Sequence, residues 1–317
     1  LLACLRDELP GLKCMVDIAP SHTGLGSYPL YRQAEVPFSG GSDHYILSDP
    51  SVGVPTPMFI QWPDRFYHTA ADTPDRTDPR SLARAGALAA TYAYWVAYAG
   101  TADANWLGYQ MVARFKAQAI KAAQRAAGEA LELDHGESLA RAMAGLDRRL
   151  AYLLGRQKDA LQTLERIATT DCIIPELQAE AEQALYHELS WVQSAVDLRA
   201  AELGLEALPS LQPPDLSEEE KEAAELIPAR LVRGPVPLGQ LLYRLDEDSQ
   251  EQWRQLLQER KDGSSYTLTA LTLYWIDGTR SVLEIADLIE LEAGKRDVEL
   301  LLVYLRLLEK LGFIEFQ

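Results

Sequence analysis

Two kinds of hydrophobic pattern divide the chain. From Thr101 to Gly204 apolar side chains recur every three or four positions: Leu139, Met143, Leu146, Leu150 and Leu153, resumed by Leu164 and Ile167, then Leu185, Leu189, Val192 and Val196. That is the period of helices that bury one face. Breaks at His135-Gly136 and from Thr169 to Pro175 cut the run into three long helices, predicted to form an antiparallel bundle or a hairpin-like arm. Before Thr101 the apolar runs are short and separated by Gly and Pro. Lys13 to Ile18 and Ala34 to Phe38 are predicted as short strands, and Thr56 to Trp62 (TPMFIQW) as a longer one, entered after Gly53 and Pro55. A loop runs from Pro63 to Pro79. Asp78 then caps, and Pro79 begins, a helix reaching to about Ala99. Strand, loop and helix in that order suggest the trailing end of an α/β domain.

Beyond Gly204 the pattern changes again. Leu205 to Pro214 is a Pro-containing linker, and Ser217-Glu218-Glu219-Glu220 opens a solvated acidic helix. Pro228 to Pro237 is predicted extended and Ser249 to Arg260 helical. Leu268 to Ile276 is an apolar helix followed by an Asp277-Gly278 turn, and Ser281 with Glu284 forms a capping box for the next helix. A third helix spans Val298 to Leu311 and stops at Gly312, with a β-like tail from Phe313 to Phe316. Three helices and a terminal strand of this size resemble a small winged-helix domain.

Charge narrows what such a domain could touch. The chain has 30 Lys and Arg against 47 Asp and Glu, a net charge of −17, which repels nucleic acid and anionic membrane surfaces. From Tyr266 onward five cations (Arg280, Lys295, Arg296, Arg306, Lys310) face nine acids, whereas a phosphate-reading surface needs clustered positive charge. Protein contact or intramolecular packing is therefore expected, with no nucleic acid and no membrane partner. The richest apolar run, Ala85 to Ala99, is interrupted by Gly86 and Thr91 and is short for a bilayer span. Cys4, Cys14 and Cys172 make no CxxC or zinc-finger spacing, so a reduced cytoplasmic setting is expected. The sequence opens without an initiator Met, and LLACLRDELPGL reads as the end of an amphipathic helix stopped by Pro10 and Gly11. It is read as truncated on that side, which leaves a signal peptide further upstream open.

The stretch from Pro37 to Pro79 concentrates the candidate chemistry. It holds two of the five histidines, His44 and His68, among aspartates, glycines and prolines. Zinc hydrolases need imidazole and carboxylate ligands on rigid loops at strand ends, with a carboxylate base nearby. His68 follows the predicted strand and is flanked by Tyr67 and Thr69. Asp72, four residues on, is placed to accept a hydrogen bond from the imidazole or to pin the loop. Asp43-His44 lies at a glycine-rich turn where backbone can approach a ligand. From spacing alone, a loop histidine is a surface or structural residue more often than a ligand.

Taken together the motifs say more. Gly41-Ser42-Asp43-His44, Val52-Gly53-Val54-Pro55, and Tyr67-His68-Thr69 with Asp72-Thr73 and Asp78-Pro79 resemble, in order and gaps, the C-terminal half of the bacterial leucyl aminopeptidase-like zinc metallopeptidases. The clan of that family also includes glutaminyl cyclases. The resemblance covers roughly Val36 to Ala99, and the tail from Tyr266 to Phe316 resembles an accessory domain of some long aminopeptidase-like proteins.

The resemblance implies a zinc-aminopeptidase-type three-layer sheet domain whose C-terminal part is residues 1–100. A long-helix bundle or arm at 101–208, a linker and acidic helical segment at 209–265, and a winged-helix-like α+β domain at 266–317 follow. It implies two zinc ions in a complete parent, His68 as the last ligand of one site, and Asp43 and His44 supporting the substrate cleft. Asp72, with Tyr67, would buttress the ligand loop. The substrate would be a peptide with a free N-terminus, cut by metal-activated water.

The sequence also departs from the family pattern. No His-x-Asp pair and no Glu-Glu pair precede Pro37, and Phe38-Ser39-Gly40 stands where some secreted members carry an oxyanion-stabilising Tyr. Asp17, in MVDI, resembles the strand-borne Asp ligand, but its separation from Asp43 is short and no Gly follows. Two readings result. One is the C-terminal portion of a metallo-aminopeptidase-like protein, inactive alone. The other is a non-catalytic interaction or oligomerisation module derived from a peptidase, with self-association through the helical arm.

Overall fold

Among the described residues the buried alanines and leucines lie mostly in helices. The computed structural model describes residues 18–19, 28–29, 34, 36, 40–168, 170, 173–212, 215–260 and 263–317, and these are mostly helical. In chain order the elements are β1 (Ile18–Ala19), β2 (Tyr28–Pro29), α1 (His44–Leu47), α2 (Pro79–Tyr98), α3 (Thr101–Glu132), α4 (Gly136–Gln162) and α5 (Ile174–Glu202). They continue as α6 (Glu218–Glu225), β3 (Pro228–Arg230), α7 (Leu238–Leu241), α8 (Glu247–Glu259), α9 (Ser264–Trp275), α10 (Val282–Ala293), α11 (Val298–Lys310) and β4 (Ile314–Phe316). Two units result: Leu1–Gln33 with Trp62–Gln212, and Ala34–Gln61 with Pro213–Gln317.

In the first unit α3, α4 and α5 form an up-down-up bundle. The Thr101 and Thr170 hydroxyls lie 2.9 Å apart, Lys116 pairs with Glu180, and Arg199 Nε donates to Leu133 O at 2.8 Å. These contacts join residues 69, 64 and 66 positions apart, and a nearly constant separation means that α3 and α5 run parallel. α4 returns between them, its far end bringing Leu161 into the cluster of Leu107, Ile174 and Leu177. Along α3, Ala119, Ala123, Ala127 and Ala130 are buried, small side chains at the spacing of one helix face, which lets the neighbouring helices approach. The periodic residues Leu139, Leu146, Leu150, Leu185, Val192 and Val196 all lie in this core. α2 is started as expected, Asp78 accepting from the Arg80 N–H at 3.2 Å with Pro79 in the first turn, yet none of its residues is fully buried.

In the second unit α11 is the central element. Val298, every residue from 300 to 305, Leu307 and Leu308 are buried, and a helix that is apolar on nearly every side is one enclosed by neighbours. Those neighbours are α6, α8, α9, α10 and β4. β3 and β4 pair antiparallel, with Arg230 opposite Ile314. The acidic helix α6 begins with a capping box at Ser217 and Glu220 and is tied down by Glu220 with Arg296 and Glu222 with Arg306. The Ser281–Glu284 capping box forms as expected, and Gly312, at φ 77°, ends the last helix.

Two expectations need correction. Residues 56–62 form no strand: the segment is irregular, and Phe59, Ile60 and Trp62 are 43%, 54% and 66% exposed. An isolated extended run gains nothing from alternating side chains unless a partner strand takes up its N–H and C=O groups. Among the described residues the strands amount to the pairs β1–β2 and β3–β4, so no three-layer sheet is present there. Most of the strands expected before residue 39, including Asp17, lies outside the described residues, as does His22. No described helix is long and apolar enough to cross a membrane.

Candidate functional site

The loop after Trp62 is wound by its own polar side chains. Asp64 Oδ1 accepts from the Phe66 N–H at 2.8 Å, the Thr69 hydroxyl donates to Phe66 O at 2.6 Å, and the Asp72 N–H donates to Thr69 O at 3.2 Å. Short Asp and Thr side chains that bond backbone two or three residues away favour such coils over helix or strand. His68 sits at the bend with φ 56°, a left-handed conformation that costs a β-carbon-bearing residue roughly 1–2 kcal/mol. Its ring stacks on Tyr67 at 3.8 Å, and Tyr67 meets Trp62 edge-on at 5.7 Å. The Arg76 guanidinium lies over the Phe66 ring, 5.0 Å from its centre. His68 and Asp72 are both exposed.

The second motif turn is organised differently. Gly41, at φ 113°, delivers Asp43 to the N-cap position of α1, where its side chain makes no capping bond. Asp43 is exposed and His44 half-buried. α1 stops after one turn and the chain wraps around Asp49. Its carboxylate accepts from the Ser51 N–H at 2.8 Å and from the Ser51 hydroxyl at 2.6 Å, and its carbonyl accepts from the Val52 and Gly53 N–H groups, both at 2.8 Å. Gly53 takes φ 76°, and the Val54 N–H then donates to Leu47 O at 3.0 Å, closing the loop. That conformation is the physical reason for a glycine before Val54-Pro55.

Asp49 is fully buried and is met by Arg230. The guanidinium donates from Nη1 to Oδ1 at 2.9 Å and to Oδ2 at 3.1 Å, and from Nη2 to Oδ2 at 3.2 Å. Around the pair stand Tyr45, Tyr266, Tyr274 and Tyr304. Burial beside Tyr266 pushes the Tyr45 hydroxyl up to about 12, and burial and the Asp49 charge push Tyr274 higher still. Sequence reasoning had no reason to select Asp49 or Arg230. The one local signal was the Asp-Pro-Ser turn at 49–51.

The structure therefore gathers Tyr67 and His68 in one loop and Asp43 and His44 in another, each within a different unit. Two zinc ions require several deprotonated His, Asp or Glu side chains converging within about 2.0–2.2 Å of each metal. Among the described residues no three His, Cys, Asp or Glu are gathered in that way. These residues alone do not make a zinc site. An open cavity of about 610 Å³ in the second unit is lined by Glu259, Arg260, Ser264, Leu268, Lys295, Arg296 and Asp297 and includes none of the motif residues.

Both loops and the part of α2 up to Ala93 fall inside one stretch that resembles a known family. Residues 16–93 match the family described as Peptidase family M28, a relationship that supports a peptidase-like, metallopeptidase class for this part of the chain. No curated protein and no solved structure matches. Peptidases of that family are generally zinc-dependent.

Proposed function

We propose that this chain is the C-terminal portion of a zinc-dependent aminopeptidase-like hydrolase that removes residues from peptides with a free N-terminus. The observation that carries this reading is the family match over residues 16–93, within which the three motifs keep their order. His68 is the residue of this chain assigned to hold one zinc in the complete enzyme, where zinc supplies a bound, activated water. Its partners would be a His-x-Asp pair and a Glu-Glu pair carried outside this chain. Asp43 and His44 would face the substrate cleft, and Tyr67, by stacking, fixes the plane of the His68 ring. No step of hydrolysis is assigned to this chain alone.

Zinc analysis of the purified chain after dialysis against a weak chelator tests the division of labour. Near-zero zinc with no aminopeptidase activity is expected. One or two tightly held ions would overturn the incomplete-site reading. An upstream reading frame without His-x-Asp and Glu-Glu would overturn the peptidase itself.

A second reading, a peptidase-derived interaction or oligomerisation module with a winged-helix-like tail, is favoured by one observation. On α2, Tyr94 and Tyr98 stack one turn apart at 4.7 Å and are 67% and 75% exposed, and contiguous exposed apolar surface marks contact sites. Sedimentation of the chain at micromolar concentration separates the two: a stable oligomer supports the module, a monomer the incomplete enzyme.

A further inference from the structure

The turn that carries Asp43 and His44 lies inside the family-matched residues, but the side chains that shape it do not. Three contacts hold it, all within the second unit. Gly40 lies against the ring of Tyr266 so closely that a β-carbon there would overlap the ring. Tyr274 donates its hydroxyl proton to Tyr45 O in the single turn of α1. Arg230 grips the Asp49 carboxylate around which residues 47–54 are wound. Arg233 Nε and the Gly234 N–H add bonds to Ser51 O at 2.9 Å and Ser51 Oγ at 2.8 Å. Every one of these partners lies more than a hundred residues beyond position 93, where the family match ends.

We infer that residues 213–317 act as a clamp that sets the geometry of the Asp43-His44 turn, with Arg230 as its positioning residue. A buried ion pair adds little net stability compared with apolar packing, but it tolerates few geometries. A planar guanidinium bound to both carboxylate oxygens fixes distance and orientation together. The Asp49 carboxylate in turn orders the Ser51 bonds, and the Val54–Leu47 bond returns the chain to α1. The C-terminal tail is thus a part of the candidate site. The consequence for substrate rests on the proposed peptidase reading; the clamp itself does not.

Hydrogen exchange of the whole chain tests this. In the native protein the amides of Ser48, Val52, Gly53 and Val54 are bonded and should be protected. Arg230→Met should raise exchange at Val52, Gly53 and Val54 about tenfold or more, and Tyr274→Phe should raise it about fivefold at Ser48, the scale of one lost hydrogen bond. In Tyr274→Phe the amides of α11 should stay as slow as before, while in Arg230→Met, which also lowers the stability of the whole unit, they should rise less than those of the turn. Unchanged exchange in the turn, or an equal rise throughout α11, would overturn the clamp. If Arg230→Met fails to fold, Tyr274→Phe, which removes one oxygen, decides alone. Zinc content and hydrolysis report on the peptidase reading separately, so failure of either idea is distinguishable from failure of the other.

Discussion

Arg230 reaches Asp49 across 181 positions of sequence, and the pair is closed off from water, Asp49 at 0% and Arg230 at 9% side-chain exposure. Arg230 also donates to Leu273 O at 3.2 Å and to Gly234 O. A charged pair survives such burial because nearly every donor and acceptor around it is used.

Removing one member leaves the other charge buried. Asp49→Ala or Arg230→Met should each cost about 3–5 kcal/mol of stability. The double variant should lose clearly less than the two single losses combined. Urea denaturation at pH 7 measures all three. Additive losses would mean that the pair does not act as a unit.

What was legible in the sequence was what short-range rules control. The periodic leucines from 139 to 153, the Ser281–Glu284 box, the Asp78-Pro79 helix start and the Gly312 stop each act within one or two turns, and each element stands where those residues put it. Residues 56–62 show the converse. Their apolar run has the composition of a strand, but a strand exists only with a partner, and no local rule supplies one. Asp49 and Arg230 were invisible for the same reason, because neither is unusual until the other is beside it. His68 could be selected by motif, while the company it keeps, a stacked Tyr67 and no converging carboxylates, required coordinates.

The helical bundle offers a pair of glycines with opposite expectations. At Gly108 in α3 a β-carbon would overlap Leu177 Cδ1 and lie 3.1 Å from Leu164 Cδ1, whereas at Gly145 in α4 it would meet nothing within 4 Å. Gly145→Ala should therefore stabilise by roughly 0.5–1 kcal/mol through helix propensity alone. Gly108→Ala has the same gain but must push apart a packed leucine pair, about 1–3 kcal/mol of overpacking, and should come out destabilising. Thermal melts of the two variants settle the sign. A stabilising Gly108→Ala would mean that α3 and α5 are packed less closely than described.

Asp246 gives a pH dependence. Its carboxylate caps α8, accepting from the Ser249 N–H and hydroxyl, both at 2.8 Å, with Lys310 3.5 Å away, and these bonds hold it down at about 2. An unfolded aspartate titrates near ~3.9. A depressed folded value means that the stabilisation is fully present above about pH 4 and is lost as pH falls through about 2. Asp246→Ala should melt below the native protein by a constant interval from pH 7 to 5, and the interval should narrow on acidification below pH 4. Scanning fluorimetry across that range is the check, and an interval that widens toward pH 3 would exclude the cap as its source.

His68 is the residue on which the fold and the proposed function make opposite demands. Its φ of 56° is strained for any side chain with a β-carbon, its imidazole is exposed, and stacking on Tyr67 is its one ring contact among the described residues. The fold alone would prefer glycine there. His68→Gly removes about 1–2 kcal/mol of left-handed strain and gives back roughly 0.5–1 kcal/mol in backbone entropy. The isolated chain should melt at the native temperature or slightly above it. His68→Ala keeps the strain and should melt no higher than the native protein. In a complete enzyme both changes should abolish tight metal binding at one of two sites and lower turnover by orders of magnitude. Calorimetry of the chain with metal analysis of the complete enzyme reads both demands. If His68→Gly destabilises the chain and leaves both metals bound, the imidazole serves the fold, and its assignment as a ligand is wrong.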